Sequence, residues 1–134
     1  MTVAKPYGSG DASYQAAGEF EGLVRLCERF YFYMDTLAEA KTIRGMHRDD
    51  LTESVDKLAC FLSGWLGGPK RYREKYGPIA IPRAHAHLAI GSSERDAWML
   101  CMKHALKDQA YSEDFKRYLF EQLYVPAERC RTRD

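Results

Sequence analysis

The sequence lacks any excess of charge and any long apolar run. Its 134 residues carry 20 Lys and Arg against 19 Asp and Glu, a formal net charge of +1. Proteins that bind nucleic acid or an anionic membrane usually carry a basic patch, so this balance argues against both kinds of partner. No apolar run approaches the roughly 20 residues that span a bilayer. We therefore expect a soluble protein.

The N-terminus lacks the apolar core of a secretory signal peptide. Residues 1–10 are polar and contain Pro6, Gly8 and Gly10, so we predict a flexible N-terminal arm. Residues 11–134 fit a single domain in length. Without a targeting signal, the expected location is the cytoplasm.

The four cysteines form no Cys-x-x-Cys pair, and their spacing fits no zinc site. Cys27, Cys60 and Cys101 lie within apolar helical patterns, whereas Cys130 lies near the end of the chain. We interpret the first three as reduced core residues of a cytosolic protein.

Strand alternation and internal repeats are absent, whereas helical periodicity is strong. Apolar side chains recur at steps of three and four over residues 20–34, 51–65 and 98–106. A further helix is predicted to start after Ser112 and to end before Pro126. These patterns predict an all-α fold with four main helices and shorter ones between them.

The connections between these helices carry weaker patterns. Asp11 or Ser13 is suited to cap a first short helix, and residues 37–46 suggest a short helix or a loop. Gly67-Gly68-Pro69 predicts an abrupt end to the second main helix. Residues 69–84 show no regular period, so we predict a long ordered loop, and loops of this length are often functional.

Histidines are the first candidates for chemistry. An arbitrary His-x-His pair such as His85-Ala-His87 is most often two polar loop residues, although on a strand it can supply two zinc ligands. On a helix the two side chains point about 200° apart and cannot share a metal. A third interpretation uses one histidine as an axial ligand of haem iron. His104 is expected on a solvated helix face, and His47 lies between two helices.

Aromatic residues are numerous, with nine Tyr, six Phe and two Trp. Such residues usually fill cores, but an excess is also typical of proteins that enclose a large flat ligand. Tyr31 lies on the apolar face of its helix, and Trp98 lies inside the third main helix. Each carries a polar hydrogen that needs a partner when buried. Taken one at a time, both residues are more often structural.

Four motifs gain weight from their order along the chain. They are Phe30-Tyr31-x-x-Met34, Phe61-Leu-Ser-Gly-Trp-Leu-Gly-Gly-Pro69, His85-Ala-x-x-x-Ile-Gly91 and Glu94-Arg-Asp-Ala-Trp-Met-x-Cys-Met102. Together they resemble the group II truncated haemoglobins, from Phe20 to Met102. The Gly-Gly-Pro and Glu-Arg-Asp-Ala-Trp motifs at this separation are quite specific to that family. The last helix matches only in character.

The resemblance implies a two-over-two helical sandwich around a b-type haem, iron protoporphyrin IX. Binding would be non-covalent, since the chain has no Cys-x-x-Cys-His motif. The family implies His85 as the proximal ligand of the iron. It places five residues on the distal side: Tyr31, His47, Trp98, Ser54 and Leu58. It implies five more in the haem pocket: Phe61, Leu62, Tyr72, Arg83 and Ile90.

The chain departs from the family around the proximal histidine. Ala84 stands where relatives often have an arginine, and Arg83 lies one position earlier. His87-Leu88-Ala89 replaces a common Pro-Phe-Pro sequence. Both changes concern the contacts of the haem propionates and the geometry of the loop. His87 also competes with His85 as iron ligand, and counting back from Ile90-Gly91 favours His85.

The implied function is reversible binding of O₂, and of other diatomic ligands such as CO and NO, which includes a role in oxygen transport. An alternative is an enzyme that uses the same site for NO dioxygenation or peroxidase-like chemistry, with a reductase as partner. A third alternative is a haem-free interaction module that kept the fold. We expect a monomer or a weak homodimer.

Overall fold

The computed structural model describes residues 6–133, and this part of the chain is helical without any strand. The elements are α1 (Ala12–Ala16), α2 (Glu19–Thr36), a 3₁₀ helix (Ala38–Ala40), α3 (Lys41–Arg44), α4 (Thr52–Trp65), α5 (Arg71–Tyr76), α6 (Ile81–His85), α7 (Ser92–Lys107) and α8 (Glu113–Arg129). The predicted all-α fold is confirmed. None of these helices has both the length and the hydropathy needed to cross a membrane.

The four long helices form two packed pairs. Helix α2 packs against both α4 and α7, and α7 packs against α8. The core lies between them, where Phe30, Met102, Phe115 and Leu119 are at most 1% exposed. Burying each such side chain contributes about 1.5–3 kcal/mol relative to leaving it in water. This arrangement is the expected two-over-two sandwich.

Cys27, Cys60 and Cys101 are buried in this helical framework and have free thiols. Each belongs to a long helix, as its apolar pattern predicted. Burial raises the pKa of the Cys101 thiol to about 11. The prediction that these three cysteines are buried is confirmed.

Side chains set the starts of the two C-terminal helices. The Ser112 Oγ accepts a hydrogen bond from the Phe115 N–H at 3.2 Å, which satisfies one of the free donors at the start of α8. At the start of α7 the Glu94 carboxylate accepts from the Gly91 N–H at 2.7 Å. The start predicted after Ser112 is confirmed.

Two glycines end α4 where the N-terminal part of the chain passes. Gly67 has a φ of +90°, and a Cβ there would lie 2.0 Å from the Gly10 carbonyl oxygen. A Cβ on Gly68 would lie 2.4 Å from the Tyr14 ring. Glycine is therefore required both for the turn and for the close approach of α1. The predicted end of this helix is confirmed.

The predicted N-terminal arm lies partly outside the described residues, since residues 1–5 are not among them. Residues 6–10 contact the folded part of the chain. The Gly8 N–H donates to the Ser13 Oγ at 2.9 Å. The Tyr7 ring lies 5.2 Å from the Phe115 ring. The described part of the arm therefore packs against α1 and α8.

The prediction of a loop over residues 69–84 is wrong, because this stretch contains α5 and the larger part of α6. Helix α5 buries none of its residues, so it has no apolar period for the sequence to reveal. Contacts with α4 hold it instead. Lys75 and Tyr76 both hydrogen-bond to the Asp56 carboxylate. In α6, Pro82 lies in the first turn, where its missing N–H costs nothing.

The predicted end of α8 before Pro126 is also wrong, since the helix continues to Arg129. A proline inside a helix removes one hydrogen bond and costs about 3 kcal/mol in isolation. Here Pro126 and Ala127 are buried. The Cys130 N–H still donates to the Pro126 carbonyl at 3.2 Å. Packing of this last turn therefore outweighs the local penalty.

Candidate functional site

A cavity of about 380 Å³ lies among the long helices and the short helix α6. Its volume falls within the range of about 300–1,000 Å³ that is typical of small-molecule sites. The wall is mostly apolar and draws on α2, α4, α7 and α8. Its apolar members include Ile43, Met46, Leu58, Phe61, Ile79, Ile81, Leu88, Ile90, Leu123 and Ala127.

Most residues implied by the family resemblance lie in this cavity wall. They are Tyr31, His47, Ser54, Leu58, Phe61, Tyr72, His85, Ile90 and Trp98. Ser54, Leu58 and Phe61 follow each other at steps of four and three, so they share one face of α4. The structure thus brings together residues from five helices and two connections.

Two of the implied pocket residues lie elsewhere. Leu62 is completely buried in the helical core. It stands four positions after Leu58, so periodicity alone does not separate it from Phe61, and its side chain packs away from the cavity. Arg83 is exposed on α6 and does not line the cavity. It lies two residues before His85, and the two side chains of such a pair leave a helix in nearly opposite directions.

His85 is held at the C-terminal end of α6. Its Nδ1 lies 2.8 Å from the Ile81 carbonyl oxygen, one turn earlier in the helix. A carbonyl only accepts hydrogen bonds, so Nδ1 carries a proton, and Nε2 is the ring nitrogen left for a ligand bond. His87, in contrast, is exposed and does not line the cavity. The geometry therefore favours His85 over His87 as a ligand for a group in the cavity.

His47 has the same local arrangement after α3. Its Nδ1 lies 2.8 Å from the Ile43 carbonyl oxygen, so Nε2 again has a free lone pair. Burial lowers the pKa of this imidazole, and the charges of Arg44 and His85 lower it further, whereas the hydrogen bond to Ile43 acts in the opposite direction. The ring meets the Tyr31 ring edge-to-face at 5.6 Å between centroids. His47 is therefore a neutral neighbour of Tyr31.

Tyr31 and Trp98 bring two hydrogen-bond donors to the cavity. Tyr31 is 7% exposed, and burial raises the pKa of its hydroxyl, so it stays protonated. Both rings pack against Phe30, each at 4.9 Å between centroids. Within residues 6–133, neither the Tyr31 hydroxyl nor the Trp98 indole N–H has a protein hydrogen-bond partner. Both residues line the cavity, so these two donors are available to a molecule inside it.

The contribution of α8 to the cavity was missed from the sequence. Leu123, Pro126, Ala127 and Cys130 all line it. Their spacing places them on one face of a helix, which could have revealed the wall. The prediction ended the helix before Pro126 and so removed that face.

Charged residues lie at several points of the wall, and each has a partner. Lys57 forms an ion pair with Glu53 at 2.9 Å. The Arg95 side chain is 15% exposed and bonds to both Asp96 and Glu128. The sequence assigned neither Lys57 nor Arg95 to the site, because charged helix positions usually face solvent.

Comparison with known proteins agrees with this geometry. The family model of the bacterial-like globins matches residues 12–127. The group 2 truncated hemoglobin YjbI of Bacillus subtilis is 33% identical over 119 residues, 89% of this chain and 87% of that protein. The solved group II 2-on-2 hemoglobin of Agrobacterium tumefaciens has 31% identity and a TM-score of 0.86, with both chains covered completely. The truncated oxygen-avid haemoglobin from Bacillus subtilis has 30% identity and a TM-score of 0.80, covering 89% of this chain and 98% of its own.

A two-over-two helical sandwich with a histidine in an apolar cavity is the architecture of a truncated globin. The chain belongs to the bacterial-like globin family, and its resemblance to the group II truncated haemoglobins is confirmed. Membership of this family supports haem-based binding of small ligands.

The residues of the cavity fit a haem group. A flat tetrapyrrole needs apolar walls and a nitrogen ligand for its iron. The wall supplies aliphatic and aromatic side chains, and His85 supplies an oriented Nε2 lone pair. The unpartnered donors of Tyr31 and Trp98 fit a polar ligand within the same cavity.

Proposed function

We propose that this chain holds a b-type haem through His85 and reversibly binds O₂ and other diatomic ligands such as CO and NO. One observation carries the proposal. An imidazole with an oriented Nε2 and two donors without protein partners, the Tyr31 hydroxyl and the Trp98 N–H, share a single, mostly apolar cavity.

His85 acts as the proximal ligand. Its hydrogen bond to the Ile81 carbonyl fixes the ring orientation and leaves Nε2 as the nitrogen that binds the iron. Haem held by this histidine would supply an iron that binds diatomic ligands. Cavity residues such as Phe61 and Ile90 would shield the bound group from water.

Tyr31 and Trp98 act as donors to the ligand. A diatomic ligand that becomes partly negative on binding would be stabilised by hydrogen bonds from the Tyr31 hydroxyl and the Trp98 N–H. The apolar wall strengthens these bonds, since few water dipoles compete with them. Because Nδ1 of His47 is already a donor to Ile43, its Nε2 is an acceptor. The His47 ring packs edge-to-face against the Tyr31 ring, so we assign to His47 the positioning of that ring rather than donation to the ligand.

The relatives favour O₂ as the ligand. The Bacillus subtilis structure is described as oxygen-avid, and two donors in a dry cavity are the chemistry that favours O₂. The same donors also stabilise peroxide. NO dioxygenation or peroxidase-like chemistry therefore remains the alternative, and it requires a reductase or another source of electrons.

The absorption spectrum of the purified chain tests the proposal. The wild type and His87→Ala should show a Soret band, whereas His85→Ala should bind haem weakly. His87→Ala is a matched control, since it removes an exposed imidazole outside the cavity. A Soret band lost in His87→Ala and kept in His85→Ala would overturn the assignment. Turnover of NO or peroxide with an added reductase would favour the enzymatic alternative.

A further inference from the structure

The residues that follow α8 bind to the segment that follows His85. We call residues 130–133 the C-terminal strap. The Thr132 hydroxyl donates to the Leu88 carbonyl at 2.6 Å and accepts from the Ile90 N–H at 2.9 Å. The N–H groups of Thr132 and Arg133 donate to the Ile90 carbonyl at 2.8 and 3.1 Å. Four hydrogen bonds therefore join the strap to a short stretch of the cavity wall.

This stretch has little support of its own. Helix α6 has only five residues, far fewer than the roughly 12–15 that an isolated helix needs to be stable. Residues 87–89 are His, Leu and Ala, so no proline restricts their backbone. Leu88 and Ile90 nevertheless line the cavity. An external anchor is therefore needed to hold this part of the wall in one conformation.

A chain of hydrogen bonds leads from the strap to His85. The Thr132 hydroxyl binds the Leu88 carbonyl, and the Leu88 N–H donates to the His85 carbonyl at 3.0 Å. The His85 ring is bonded in turn to Ile81. A displacement of Leu88 is thus transmitted to the backbone that carries the proposed iron ligand.

Ion pairs hold the strap from both sides. Arg133 lies 3.5 Å from the Glu94 carboxylate, which also accepts from the Gly91 N–H. Arg131 bonds to Glu128 at 2.6 Å. Both acidic partners belong to long helices, α7 and α8. The framework of the fold therefore fixes the backbone on either side of Thr132.

We infer that Thr132 is a positioning residue, whose hydroxyl fixes the segment 88–90 and through it the orientation of His85 and the retention of haem. The inference rests on the proposed function, because it assigns His85 to the iron. It adds a role for the end of the chain, which lies outside the motifs that resemble the family.

Two substitutions at one position test this role. Thr132→Val keeps the shape of the side chain but removes the hydroxyl, and Thr132→Ser keeps the hydroxyl. Thr36→Val is a matched control, since the Thr36 hydroxyl also donates to a backbone carbonyl, that of Phe32 at 3.0 Å, on an exposed part of α2. All variants are made in the full chain.

Each variant is characterised by three measurements. The first is the rate of haem transfer to excess apomyoglobin. The others are the iron–histidine stretching band of the ferrous protein, recorded by resonance Raman, and the amide hydrogen exchange of residues 88–90. Thr132→Val should lose haem about five- to tenfold faster, the loss expected for exposed hydrogen bonds. It should also shift or broaden the stretching band and speed exchange of the Ile90 amide. Thr132→Ser and Thr36→Val should match the wild type.

Wild-type values of the transfer rate and the stretching band in Thr132→Val would overturn the inference, even if its unfolding temperature fell. Equal effects in Thr132→Val and Thr36→Val would also overturn it, since they would indicate a general loss of stability. A wild-type chain that binds no haem would refute both the proposed function and this inference. If haem binding is lost in His85→Ala but unchanged in Thr132→Val, the inference is refuted and the proposed function stands.

Discussion

The Tyr31 hydroxyl allows a test that separates ligand binding from folding. The Tyr31 residue is 7% exposed, its hydroxyl stays protonated, and within residues 6–133 no protein atom accepts the hydroxyl hydrogen. Tyr31→Phe should therefore leave the free energy of unfolding of the haem-free chain unchanged, because no protein hydrogen bond is lost. The effect should appear only when a ligand is bound.

The size of that effect follows from the hydrogen bond. A bond to a charged or partly charged acceptor contributes about 1.5–3 kcal/mol, which corresponds to a factor of roughly 10 to 150 in an equilibrium constant. The O₂ dissociation rate of Tyr31→Phe should rise by about this factor. Stopped-flow mixing of the O₂ complex with excess CO measures it.

Tyr111→Phe is the matched control. The Tyr111 hydroxyl donates to the Ala17 carbonyl at 2.8 Å and lies outside the cavity wall. This substitution should lower the free energy of unfolding by about 1 kcal/mol and leave the dissociation rate unchanged. A dissociation rate of Tyr31→Phe within twofold of the wild type would refute the reasoning. So would an equal change in Tyr111→Phe.

Three further predictions concern the site and the fold. Trp98→Phe should also speed O₂ dissociation, by about tenfold, and a wild-type rate in stopped-flow mixing would exclude the indole as a donor. Lys75 holds the pKa of the Asp56 carboxyl below its ordinary 3.8. The ionised carboxylate therefore adds fully to the free energy of unfolding above pH 3.8, and this contribution is lost as the pH falls through the pKa of the folded state. Thermal unfolding of Asp56→Asn should therefore occur below the wild-type temperature at pH 7, and the difference should shrink as the pH falls below 3.8; a constant difference would contradict this. Gly67→Ala should destabilise more than Gly77→Ala in urea unfolding, because both have φ near +90° but a Cβ meets the backbone only at Gly67. If both variants lost the same free energy of unfolding, about 1–3 kcal/mol, the strain of the positive φ alone would explain the destabilisation, and the close contact at Gly67 would add nothing.

The sequence was most informative where a helix has one buried face. Helices α2, α4 and α7 alternate apolar and polar positions with a clear period, and their predicted cores agree with the structure. Helix α5 was missed because it buries nothing and owes its place to bonds with Asp56. The last turn of α8 was missed because local proline chemistry disfavours it, and only burial of Pro126 in the folded chain reverses that preference.

The sequence predicted which residues form the site better than it predicted how they are arranged. The motif containing Trp98 and the motif containing His85 pointed to one cavity through resemblance, and the structure brings both residues into its wall. Neighbouring positions on α4 could not be resolved, so Leu62 was grouped with Phe61. The contacts of Thr132 were invisible in the sequence, since they join segments 42 and 44 residues apart and involve no pattern of residue types.

The cavity wall is built from residues spread along most of the chain, and this has a thermodynamic consequence. Its residues extend from Tyr31 to Cys130, so the wall exists only when nearly the whole chain has folded. A molecule that fills the cavity therefore binds the native state and not the unfolded chain. Each increase in its free concentration raises the free energy of unfolding, by about 4 kcal/mol at a thousandfold excess over Kd. Ligand binding in the cavity and folding of the chain are thus coupled, so a change in occupancy changes the fraction of folded chains.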